Sequence, residues 1–70
     1  MHRYLIIFEK AQGNYSAYSP DLPGCVATGK TVDETKQNMT AAVRFHIEGL
    51  RSEGLPAPDG EASSEYITVG

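Results

Sequence analysis

Nine acidic side chains, two histidines and one cysteine are the groups in this 70-residue chain best suited to chemistry. Metal-assisted hydrolysis would need several carboxylates converging on Mg²⁺. The carboxylates that fall in regular elements are Glu9, Asp33, Glu34, Glu48, Glu53 and Glu65. Glu9 sits near the end of one apolar run and Glu65 opens another, while the other four lie in a helical stretch, off its apolar stripe. His46 has the type of a general base, but no nucleophile or acid stands at a useful spacing, so a packed histidine is the plainer reading. Cys25 lacks a CxxC partner and a basic cluster and reads as a small buried apolar residue. The cysteine and the two histidines are too scattered for a zinc site. No catalytic, metal-binding or cofactor-binding set is therefore assigned.

The elements that position these residues follow from periodicity. Residues 3–10 (RYLIIFEK) are rich in β-branched and aromatic types and end at the turn Gln12-Gly13-Asn14. Tyr4, Ile6 and Phe8 form one apolar face of this strand; Leu5 and Ile7 form the other. Residues 14–19 (NYSAYS) alternate as a second strand, with Tyr15 and Tyr18 on opposite faces. Residues 19–24 (SPDLPG) make a stiff turn, and residues 25–29 (CVATG) a short third strand. Thr31-Val32-Asp33-Glu34 is a capping box that starts a helix over residues 32–53. Its apolar stripe is Val32, Met39, Val43, Ile47 and Leu50, flanked by Ala42 and His46. Gly49 inside it costs about 1 kcal/mol against alanine, which suggests a close packing contact or an early end. Gly54 and Pro56 suit the stop. Residues 55–64 form a loop and residues 65–69 (EYITV) a last strand. The expectation is one α+β domain over residues 1–70, of type βββαβ. It is an antiparallel three-stranded meander plus a fourth strand parallel to the first, in the order 3-2-1-4, with one helix on one face.

Three motifs carry a resemblance. They are Asp21-Leu22-Pro23-Gly24-Cys25, then Gly29-x-Thr31-x-x-Glu34, then His46-x-Glu48-Gly49-Leu50-Arg51-x-x-Gly54-x-Pro56-x-Pro58. Together they resemble the HicB-like antitoxin domain over nearly the whole chain. The resemblance implies a βββαβ unit described as a partial RNase H fold. It also implies a partner: members bind and neutralise HicA, a small ribonuclease toxin. Full-length members usually add a C-terminal helix-turn-helix or ribbon-helix-helix segment that binds operator DNA. The sequence ends after the expected fourth strand, so direct DNA binding is not expected of it. An RNase H-like topology raises the alternative of a metal-dependent nuclease. Glu9 and Glu65 would lie at opposite ends of parallel strands, which argues for a non-catalytic protein.

Charge and size point the same way. The formal net charge of −3 and six scattered basic residues disfavour a nucleic-acid backbone and suit a basic protein partner. A domain this small buries only about 60% of its unfolded surface, so self-association into a dimer or tetramer is expected. The apolar run of residues 5–8 is too short for a signal or membrane segment; with an unpaired cysteine, the location expected is cytoplasmic. The candidate partner-contact residues are Tyr18, Pro20, Asp21, Leu22 and Pro23, in or beside a turn that is otherwise a purely structural corner. Phe45 lies off the apolar stripe and reads either as an oligomer contact or as a residue covered by the loop after the helix. An orphan self-associating module without a toxin is the remaining alternative.

Overall fold

The computed structural model describes residues 2–70. Three strands precede one helix: β1 (Ile7–Ala11), β2 (Asn14–Tyr18), β3 (Val26–Gly29) and α1 (Val32–Ser52). The strands form an antiparallel meander in the order β1-β2-β3, so the central strand is β2 rather than β1. Ala11 pairs with Asn14, and Gly13 closes that hairpin at φ 85°, a region that only glycine enters cheaply. β1 begins at Ile7, four residues later than its sequence suggests, because the pairing with β2 ends at Ile7–Tyr18.

The register fixes what each face carries. Phe8, Ala17 and Ala27 are paired across the sheet and look toward α1. Ile7, Tyr18 and Val26 form the neighbouring row on the opposite face. The core consists of Ala17, Leu22, Cys25 and Met39, with Tyr4, Ile6, Phe8, Ala27, Ala42, Val43 and Ile47 packed around it. Tyr4, Ile6 and Phe8 thus share the buried side, as their alternation predicts.

α1 starts and stops as its termini dictate. The Thr31 hydroxyl accepts the Glu34 N–H at 3.0 Å. At the other end Gly54 stands at φ 73°, its N–H donates to the Arg51 carbonyl, and the Leu55 N–H reaches the Leu50 carbonyl at 2.9 Å. These two bonds are a Schellman motif. The buried stripe differs from expectation at its first turn. Val32 is largely exposed, and Thr35 is fully buried in its place. A threonine is tolerated there because its hydroxyl donates to the Thr31 carbonyl at 2.6 Å. Gly49 neither ends the helix nor packs closely: a side chain added there would meet open space.

The expected fourth strand is not formed. Residues 65–69 pair with nothing, and Tyr66, Ile67 and Val69 are exposed. The 3-2-1-4 order is therefore reduced to a three-stranded sheet with one edge of β1 free. The Tyr4 hydroxyl donates to the Pro58 carbonyl at 2.6 Å, Gly60 lies against the Arg3 backbone, and the Ala62 N–H donates to the Asp21 carboxylate at 3.2 Å. These ties hold residues 57–62 beside the start of the sheet, and residues 63–70 beyond them are exposed. Strand propensity in EYITV is satisfied only if a partner strand is adjacent.

Candidate partner-binding surfaces

The turn between β2 and β3 is built from within. The Leu22 N–H donates to the Ser19 carbonyl at 3.2 Å, and the Cys25 N–H donates to the Leu22 carbonyl at 3.1 Å. Gly24 turns the corner at φ 80°. Leu22 and Cys25 plug the core, so Pro20 and Pro23 are left on the outside. The five candidate contact residues therefore separate. Tyr18, Pro20 and Pro23 present surface. Asp21 is half-buried and engaged with Ala62. Leu22 is 0% exposed and offers a partner nothing directly; it anchors the corner that displays the others. With proline on both sides of that anchor, little ordering entropy would oppose docking.

Phe45 is 80% exposed, so the loop after α1 does not cover it. It lines an open groove between α1 and the free edge of β3, together with Gly24, Val26, His46, Gly49 and Leu50. The missing side chain at Gly49 leaves this groove open. Val26 was not singled out from the sequence, although the signal was present: Cys25 is buried, so the next residue of the strand must face outward. The open-face row of Ile7, Tyr18 and Val26 was also missed, because it depends on cross-strand register, which no single segment carries.

The groups considered for chemistry stay apart. Glu9 is exposed on the open face opposite Ser16, and Glu65 lies in the unpaired segment. The parallel pair of strands that would set them at opposite ends is not formed. Among the described residues no three of His, Cys, Asp and Glu come together as a metal site. His46 is half-buried beside Phe45. Cys25 is a buried free thiol, and burial pushes its pKa up, away from the reactive thiolate.

The chain is a small α+β unit with a proline-flanked corner and exposed apolar side chains. Comparison with known proteins identifies its family. The profile of the HicB_like antitoxin family of bacterial toxin–antitoxin systems matches residues 4–68, and the chain belongs to this family. A UPF0150 protein of Synechocystis is 39% identical over 99% of this chain and 89% of its own. A protein from the rep-hol intergenic region of Haemophilus phage HP1 is 36% identical over 91% of this chain. The match spans only 48% of that phage protein's length. Among solved structures, a chain of the HicA3 and HicB3 toxin-antitoxin complex is 33% identical, with a TM-score of 0.70 over 86% of this chain and 70% of its own. Among the described residues no helix is long and apolar enough to cross a membrane.

Proposed function

We propose that this chain is the antitoxin of a type II toxin–antitoxin pair, binding and neutralising a HicA-type ribonuclease toxin without catalysis of its own. The likeness to a chain of a toxin–antitoxin complex carries this reading. The net charge of −3 supports it, because an RNA-cleaving partner must present a basic surface to its substrate. Tyr18, Pro20 and Pro23 are the contact residues proposed, with Asp21 and Leu22 holding the corner in shape. We place the protein in the cytoplasm, where a free buried cysteine needs no partner. The scattered basic residues favour a protein partner over direct DNA contact.

The test is titration of the chain into a HicA-type toxin, read as binding heat and as protection of RNA from cleavage. Stoichiometric protection, with Tyr18→Ala weakening it at least tenfold, is the outcome expected. Metal-dependent RNA cleavage by this chain alone, lost on substituting Glu9 or Glu65, would establish the nuclease alternative instead.

Self-association is the second part of the reading. The row Ile7–Tyr18–Val26 and the nearby Phe45 leave apolar surface open on a domain with a small core. A dimer or tetramer would cover it, and Phe45→Ala should then weaken the assembly in sedimentation. An assembled protein with no affinity for any HicA-type toxin would point to the orphan module.

A further inference from the structure

Two features of the molecule match each other. The first is the free edge of β1. Along it runs a groove floored by Tyr4, Ile6, Phe8, Met39 and Val43, and its charged lining residues are the basic Lys36 and Arg44. The second is the segment of residues 65–69, which is unpaired and exposed. Tyr66, Ile67 and Val69 are 104, 83 and 87% exposed. A β-prone apolar segment and an unpaired strand edge are both unstable exposures in water.

Their dimensions and chemistry agree. β1 has five residues, and five extended residues reach about 17 Å, the length of that edge. Alternation then sorts the side chains. In a strand laid along this edge, Ile67 and Val69 would enter the groove against Ile6, Phe8, Met39 and Val43. Tyr66 and Thr68 fall on the open face, where Tyr66 extends the row of Ile7, Tyr18 and Val26. Glu65, the one charged side chain of the segment, meets a basic rim. In its own chain the segment is unpaired and exposed, so the edge of β1 is left open.

We infer that residues 65–69 of one copy add as a strand to the β1 edge of a second copy, and that the exchange is reciprocal. The occupant of each groove is thus the same chain, and the two-fold assembly carries two four-stranded sheets. This rests on the reading that the chain self-associates, adds an interface separate from Phe45, and is independent of toxin binding.

Light scattering on the full-length chain over a range of concentrations tests it, with Ile67→Glu and Val69→Glu as the variants. The segment is exposed and lies outside every regular element of its own chain, so these changes should leave the far-ultraviolet spectrum of the body unaltered. The wild type should show twice the 7.6 kDa chain mass, and the variants should halve it. A second measurement uses cysteines on the shared face. Chains bearing only Glu9→Cys, mixed with chains bearing only Thr68→Cys, should form an oxidised heterodimer that wild-type chains do not form. A monomeric wild type overturns both self-association and exchange. A dimer indifferent to the two variants overturns exchange alone. A cross-link that forms only within a chain carrying both cysteines shows that the segment closes on its own edge, and overturns exchange as well.

Discussion

The carboxylate of Asp21 accepts the backbone N–H of Ala62 at 3.2 Å, across 41 residues of sequence. One half-buried acid in the β2–β3 corner thereby sets where the chain runs after the helix. Asp21→Ala should release residues 57–64 without unfolding the core. Amide exchange at Ala62 and proteolysis in that stretch should rise at least tenfold. Global stability should fall by no more than about 1.5–3 kcal/mol, the worth of a bond to a charged acceptor. Asp21→Asn, which keeps an acceptor oxygen, should stay close to wild type. A loop equally protected in Asp21→Ala would show that the bond does not steer the chain.

Gly29 explains itself through Thr35. A Cβ at Gly29 would stand 2.7 Å from both the backbone nitrogen and the Oγ1 of Thr35. Thr35 cannot retreat, because its N–H and its hydroxyl both donate to the Thr31 carbonyl, at 2.9 and 2.6 Å. Gly29→Ala should therefore cost about 1–3 kcal/mol, the range for overpacking a tight contact. Urea denaturation reads it as a lower midpoint at unchanged slope. A neutral effect would mean that β3 and α1 part more easily than their contact implies.

Ser19 is 3% exposed, and its hydroxyl has no hydrogen-bond partner among the described residues. An unsatisfied buried hydroxyl costs about 1–3 kcal/mol. Ser19→Ala should leave stability unchanged or raise it by about 1 kcal/mol, since the bond that shapes the corner uses the Ser19 carbonyl and not its side chain. A clear loss of stability in thermal unfolding would reveal a partner for the hydroxyl.

Burial raises the pKa of the Cys25 thiol by desolvating its anion. The sign of the consequence follows from linkage. Above about pH 8.5 the unfolded thiol ionises while the folded one keeps its proton, so the folded state binds more protons and loses stability as pH rises. Below that range the thiol contributes no pH dependence. The stability of Cys25→Ala should therefore fall less than that of wild type between neutral and alkaline pH. A disulfide reagent should react with native Cys25 at least a hundredfold more slowly than with the unfolded chain. Rapid modification at neutral pH would contradict the burial.

Much of the architecture is legible from residues that act on near neighbours. Thr31 accepts from Glu34 three positions on, and Gly54 lets Leu55 reach Leu50, so both ends of α1 are local events. Gly13 and Gly24 mark the two corners for the same reason. The alternation of Tyr4, Ile6 and Phe8 gives the buried side of the first segment. The family resemblance is legible as well, because its motifs are these same corners and caps.

Tertiary structure decided everything that required a distant partner. Thr35 rather than Val32 opens the buried stripe because Gly29, on another element, leaves room for it. Leu22 is core and its proline neighbours are surface because the corner folds back over Met39 and Cys25. Glu65–Val69 has the composition of a strand, yet it is unpaired and exposed beside a sheet whose β1 edge is free. A cap or a turn is completed within about five residues, so sequence alone suffices for it. A strand is completed only by another strand, and neither propensity nor periodicity says which edge, or which copy, supplies it.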